Sequence, residues 1–195
     1  MDDFSSLQKT TDNGWSLDTG TDVDYIWTQG KFNITVKQPD YLGSTWPNGL
    51  YTDFGAEVVA QSGASSRGDY GMVFRVSGTS AARNYYLFGV NTDGEYFVWA
   101  KVNGQWQDTD PVPATASSLI KPAGNTLGVI AKGNQISLYI NRTLAKTFTN
   151  SLITAEGKVG VYVGSGAASS MYAASFTRYT VMTPDRAPVE WAKAP

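Results

Sequence analysis

The stretch from Tyr70 to Gln107 constrains the fold more than any other part of this chain: YGMVFRVSGTSAARNYYLFGVNTDGEYFVWAKVNGQWQ. Three runs in which large residues alternate with others are separated by SGTSAARN and TDG, and the last is closed by Asn103-Gly104. Alternation at period 2 marks a strand with one buried face. Asp-Gly and Asn-Gly pairs tolerate the positive φ angles of tight hairpin turns. The stretch therefore predicts an antiparallel meander unusually rich in aromatic rings, and what those rings face becomes the functional question.

The same signals recur along the chain. They predict strands at Asp2–Ser5, Trp15–Leu17, Asp24–Thr28, Lys31–Gln38, Asp53–Gln61, Tyr70–Ser77, Tyr85–Asn91, Glu95–Val102, Thr126–Lys132, Gln135–Asn141, Leu144–Thr149, Lys158–Gly164 and Met171–Met182. No helix of normal length is signalled, although Ser118–Ala123 has room for one turn. Longer loops fall at Pro39–Tyr51, Ser62–Asp69, Gly78–Asn84 and Asp108–Asn125. About a dozen strands in one domain imply two packed antiparallel sheets, an all-β jelly-roll sandwich. The sandwich is assigned to residues 1–182, and a Pro/Ala-rich tail to residues 183–195.

Composition narrows the function classes. A chain of 195 residues buries roughly 70% of its unfolded surface and needs no covalent staple. Net charge is −2 and no basic run exists, which argues against nucleic acid or an anionic membrane as partner. No apolar run approaches the roughly 18 residues of a membrane-spanning helix. The chain has no Cys and no His, which removes thiolate catalysis and the commonest general base and transition-metal ligand. No signal segment stands at Met1, and the chain is taken as the processed form of an exported protein.

The segments DDFS, GKFNITV, YGMVFR, NYYLFGVNTDGEYFVWAKVNGQW, NTLGVIAKGNQISLYINRTLAKTF, GKVGVYV and ASFTRYTV, in this order from about Asp2 to Val181, resemble the concanavalin A-like lectin/glucanase superfamily. More narrowly, they are similar to bacterial laminin-G-like sandwiches related to 3-keto-disaccharide hydrolase domains. The resemblance implies the sandwich fold and extracellular or cell-surface use, usually on glycans. Because that fold hosts lectins, enzymes and adhesive modules alike, it does not by itself fix an activity. Related sandwiches commonly place Asp or Asn after the Phe of the final strand, to help hold a structural calcium. Here Phe176 is followed by Thr177 and Arg178.

A glycosidase needs two facing carboxyl groups, and glucanases of this superfamily carry Glu-x-Asp-x-x-Glu. This chain has no such run. Its four Glu residues, Glu57, Glu95, Glu156 and Glu190, each stand alone. The acid-x-acid pairs Asp22/Asp24, Asp93/Glu95 and Asp108/Asp110 fall in or beside turns, so catalysis is not expected. Asp12, Asp18, Asp22 and Asp24 share one Gly/Thr-rich stretch, and Asp18, Asp22 and Asp24 are the candidate ligands of a structural calcium, against the plainer reading that Asp is a good loop residue. No other cofactor is expected.

Sugars present flat C–H faces that dock on indole and phenol rings, while polar side chains bind their hydroxyls. If Tyr70, Met72, Phe74 and Val76 are core, strict alternation sends Arg75 to the outer face beside the meander. Arg75, Asn84, Trp99 and Trp106 are the resulting candidates for a glycan platform, against the competing reading that these rings are core. Asn33-Ile34-Thr35 and Asn141-Arg142-Thr143 match the glycosylation acceptor pattern, but their strand and turn positions favour structural use. In the tail, Pro188 and Trp191 predict docking, either back onto the same sandwich or onto the edge of a second copy to give a head-to-tail homo-oligomer or polymer. Three readings follow: a glycan-binding or adhesive module, a self-assembling structural subunit, and, behind these, a sugar-active enzyme of unusual design.

Overall fold

The computed structural model describes residues 1–63, 67–168 and 171–187. One short helix, α1 (Leu7–Asp12), precedes β1 (Asp18–Thr19), β2 (Val23–Thr28), β3 (Lys31–Val36), β4 (Leu42–Thr45), β5 (Phe54–Ser62), β6 (Gly68–Ser77), β7 (Asn84–Asn91), β8 (Glu95–Val102), β9 (Gln105–Trp106), β10 (Val112–Ala116), β11 (Asn125–Lys132), β12 (Gln135–Ile140), β13 (Thr143–Thr149), β14 (Lys158–Ser165) and β15 (Tyr172–Met182). The eight-stranded sheet has the order β1-β2-β3-β15-β5-β11-β12-β13, and the seven-stranded sheet the order β10-β8-β7-β6-β14-β4, with β9 on β8. All pairings are antiparallel. Among the described residues no helix is long and apolar enough to cross a membrane.

Period-2 patterning makes the core. Phe32, Ile34, Phe54, Val58, Leu127 and Leu138 face inward from one sheet, and Tyr70, Met72, Phe74, Tyr86, Phe88 and Val98 from the other; all belong to one buried cluster. The seven-stranded sheet is apolar on its other face too. A second cluster of Val73, Val76, Tyr85, Leu87 and Tyr162 lies there, flanked by half-buried Leu42, Trp46 and Trp99. The high aromatic content therefore serves two layers rather than one.

Alternation fails at Arg75. Phe74 pairs with Tyr86 but Ser77 with Asn84, so β6 carries one residue more than β7 over that interval. This bulge is centred on Arg75, whose φ is +54°. It flips the parity of the strand: Val76 turns outward and Arg75 inward, where it is fully buried. The expectation of an outward Arg75 is corrected. Its guanidinium donates to the Ile153 carbonyl (2.6 Å) and to the Gly133 carbonyl in the β11–β12 turn of the opposite sheet. A buried cation is tolerable only when such acceptors replace water, and burial still holds the group below the usual arginine pKa.

The expected strands at Asp2–Ser5 and Trp15–Leu17 do not form. Instead Asp2 makes one bridge to Tyr179, and its carboxylate accepts from Asn13 Nδ2 (2.8 Å), Trp15 Nε1 (2.9 Å) and the Phe4 N–H (2.8 Å). Ser6 caps α1 by accepting from the Lys9 N–H, a signal the strand pattern hid. Strands β4 and β10, at the edges of their sheet, and the two-residue β9 lie in segments read as loops or left unassigned. Residues 118–123 form turns, with no helix.

Beyond β15 the chain reverses, with the Arg186 N–H donating to the Thr183 carbonyl, and buried Ala187 packs against Gly55 on the outer face of the eight-stranded sheet. Pro188 and Trp191 lie outside the described residues. Both acceptor-pattern asparagines are spent on structure: Asn33 accepts from Ser175 Oγ (2.7 Å), and Asn141 Nδ2 donates to the Leu119 carbonyl (2.7 Å).

Arg75→Ala removes a buried donor from two carbonyls at once. It is expected to lower unfolding stability by about 3 kcal/mol in urea titrations, with the fold and any ligand binding on the outer face retained.

Candidate functional site on the outer face of the seven-stranded sheet

The outer face is built in rows across the strands. In one row, Ser44, Tyr162, Gly71, Gly89 and Phe97 stand side by side. Two adjacent glycines leave no side chains there, so Tyr162 lies across them. A Cβ on Gly89 would stand 1.9 Å from the Tyr162 hydroxyl, which explains why the position is glycine. The phenol lies flat on the sheet, fully buried beneath an outer layer that includes Leu42, Trp46 and Trp99. In the next row, Gly160, Val73, Leu87 and Trp99 are neighbours.

A cavity of about 350 Å³ opens over one end of this face, lined by Asp40, Tyr41, Leu42, Asp69, Trp99, Trp106, Gln107, Asp110 and the Gly164–Gly166 turn. Trp99 stacks on Phe97, two residues away on the same side of β8, with centroids 4.1 Å apart. Trp106 stands edge-on to Trp99 (6.2 Å, 80°) and to Tyr85 (5.7 Å, 86°). Lys101 Nζ lies 5.1 Å from the Trp106 ring centre. Trp106 is 46% exposed, so it offers a free ring face that a core indole lacks.

The polar side chains of the cavity are three carboxylates, the Gln107 amide and the hydroxyls of Tyr41 and Ser165. Asp69 is half-buried, beside Gly164 in the pairing of β6 with β14. Its Oδ1 is sealed from water and faces the buried Tyr162 hydroxyl without a well-directed hydrogen bond; neither atom has another partner among the described residues. Burial pushes the Asp69 carboxyl up to about 6, with the Tyr162 hydroxyl acting against it. Tyr162 itself is held well above the usual tyrosine range by burial and by the Asp69 charge. Burial also raises the Asp110 carboxyl, and the Trp99 side chain, donating toward it, opposes the shift. Such sites combine flat apolar faces with a few fixed polar groups, the composition of a small-molecule pocket.

Of the platform residues expected from sequence, the structure brings Trp99 and Trp106 together and leaves two out. Arg75 is on the inner side. Asn84 is outside the cavity, its side-chain carbonyl accepting the Asn103 N–H (2.7 Å) to brace the β8–β9 turn. Asp69 and Gln107 were missed. Asp69 shares the outward parity of Gly71 and Val73, so alternation does locate it; Gln107 follows a two-residue strand and carries no pattern. The calcium candidates do not converge. Asp24 pairs with Lys37 (2.7 Å), Asp18 accepts the Thr19 N–H (2.8 Å), and the described residues hold no cluster of three or more acidic side chains. Thr177 stands where the calcium ligand was expected, and the next residue, Arg178, binds Glu57 (2.7 Å), which Arg142 also holds (3.0 Å).

No family model and no curated protein matches the chain. Among solved structures, a carbohydrate-binding module, CBM66, from Bacillus subtilis is similar at 18% identity, covering 88% of this chain and 96% of that one, with a TM-score of 0.70. A Bacillus subtilis protein of unknown function with a galectin-like fold is similar at 10% identity, covering 93% and 94%, also with a TM-score of 0.70. A Bacillus licheniformis β-glucanase is similar at 14% identity, covering 85% and 91%, with a TM-score of 0.59. The fold is thus the concanavalin A-like jelly-roll sandwich expected from the sequence, an architecture used by carbohydrate-binding and carbohydrate-cleaving proteins.

The raised Asp69 carboxyl makes stability depend on pH. The native state keeps a proton that the unfolded chain releases at a lower pH, so this contribution is complete below about pH 4 and is lost as pH rises through about 6. Thermal melts across that window should show a loss on the order of 2 kcal/mol, absent from Asp69→Asn.

Proposed function

We propose that the protein is a non-catalytic glycan-binding module, acting outside the cell or at its surface, and that sugars dock in the Trp99–Trp106 cavity. The observation that carries this reading is the edge-to-face indole pair beside Asp69, Asp110 and Gln107 in one cavity. An indole face covers the C–H side of a pyranose or furanose, and the carboxylates and amide accept from and donate to its hydroxyls. The carbohydrate-binding and galectin-like neighbours support the choice of ligand class. In titration calorimetry with oligosaccharides retained from a glycan array, Trp106→Ala and Trp99→Ala should each weaken affinity about tenfold or more. Trp106→Ala should leave the melting temperature nearly unchanged, because its ring is already half in water. Undiminished binding in both variants, or no retained glycan at all, would refute the reading.

A hydrolase is the second reading, favoured by one observation: two carboxyls of raised pKa, Asp69 and Asp110, line the same cavity. Glycosidases use one carboxyl kept protonated and another ionised. Incubation of the retained oligosaccharides with the protein should yield no cleavage; turnover lost in Asp69→Asn would replace the binding reading with catalysis. Head-to-tail assembly through Pro188 and Trp191 is a separate proposal, and both residues lie outside the described ones.

A further inference from the structure

A second cavity, of about 460 Å³, is lined by Trp46, Leu50, Val76, Ser77, Gly78, Arg83, Glu156 and Lys158. It belongs to the same face as the first. Val76, turned outward by the Arg75 bulge, shares one apolar cluster with Tyr162, Leu87, Trp46 and Trp99. Trp46 passes over Gly160, where an added Cβ would meet it at 2.7 Å. Gly160 and Trp99 end the row that runs through Val73 and Leu87. The backbones that carry the two indoles thus lie three inter-strand steps apart, about 14 Å at the usual sheet spacing, and both side chains pack on the apolar strip between them, so a ligand reaching from one cavity to the other is an oligosaccharide and not one ring.

The two ends differ in charge. Asp40, Asp69 and Asp110 line the Trp99 end, with one cation, Lys101, against the Trp106 ring, whereas Arg83 and Lys158 line the Trp46 end with one acid, exposed Glu156. The Arg83 guanidinium lies over the Trp46 ring, 5.0 Å from its centroid, and has no ion pair among the described residues. Stacking engages the π-face of a guanidinium and leaves its in-plane N–H donors open, a fork that matches the paired oxygens of a carboxylate or sulfate. Tyr85 belongs to the apolar cluster against which Trp46 packs, and it stands edge-on to Trp106. Tyr85 therefore links the two ends.

We propose that this outer face binds an oligosaccharide lengthwise and in one direction, with a neutral sugar on the exposed Trp106 ring beside Trp99 and an anionic sugar, carboxylate- or sulfate-bearing, on the Trp46–Arg83 fork. The carboxylates of the first end repel an anionic sugar and so oppose the reversed orientation. This rests on the glycan-binding reading and adds to it a second subsite and a charge preference.

The test uses the full chain and matched oligosaccharides of one backbone: neutral, terminated by a uronic acid, and terminated by a sulfated sugar. At low salt the unmodified protein should bind one or both anionic forms about tenfold more tightly than the neutral one, and added salt should erode that margin. Arg83→Gln should abolish the margin while leaving neutral affinity in place, Lys158→Gln should reduce it, and Arg83→Lys should restore part of it. Trp99→Ala should weaken all three ligands. Whichever anionic form depends on Arg83 identifies the anion. Equal binding of neutral and anionic forms, or an Arg83→Gln variant that keeps the margin or loses all ligands equally, would overturn the proposal while leaving the Trp99 site standing. If none of the three binds and other glycans do so through Trp99, the oligosaccharide assignment falls alone; if no glycan binds at all, both readings fall.

Discussion

The bulge at Arg75 governs both what joins the two sheets and what the outer face can do. Sandwich layers normally meet through apolar side chains, which are non-directional and do not specify how the ends align. Here a buried guanidinium crosses from β6 to the Gly133 and Ile153 carbonyls. Tyr86, the partner of Phe74, holds the same long connection, accepting the Ile153 N–H (3.0 Å) and donating to Asn150 Oδ1 (2.6 Å). The extra residue that brings Arg75 inward also sends Val76 outward. Without it, Val76 would enter the core, and the cavity at the Trp46 end would lose an apolar wall. One positive φ at a non-glycine residue therefore ties the clamp between the sheets to the shape of the outer face.

The same bulge marks the limit of what alternation reveals. The meander from Tyr70 to Asn103 was legible because its turns carry Asp-Gly and Asn-Gly and its strands keep period 2 up to Phe74. Parity before the bulge also placed Trp99 correctly and would have placed Asp69. Parity after it was wrong, because nothing in FRV distinguishes a bulged arginine from an outward one; what decides the matter is a pair of carbonyls 58 and 78 residues away. Short edge strands escaped for a related reason. In β4 and β10 the neighbour on one side only, together with Gly43 and Pro113, leaves too little pattern to read. The polar side of the cavity was hidden because Asp40, Gln107 and Asp110 come from loops whose convergence is a tertiary event.

The two outer faces of the sandwich have opposite chemistry. On the eight-stranded sheet, Glu57 is almost fully buried between Arg142 and Arg178, and Ala187 covers Gly55. Charges there are paired and that part of the surface is occupied by the chain itself. Over the seven-stranded sheet the balance is reversed. Asp69 Oδ1 and the Tyr162 hydroxyl are buried without a well-formed hydrogen bond, Arg83 has a ring but no anion, and Trp106 is half exposed. The buried Asp69–Tyr162 pair costs stability in the free protein and lies out of a ligand's reach, so what this face offers a ligand is the open donors of Arg83 and the exposed ring of Trp106. A ligand bearing hydroxyls along apolar ring faces, with an anion at one end, supplies both kinds of contact in the order in which this face presents them.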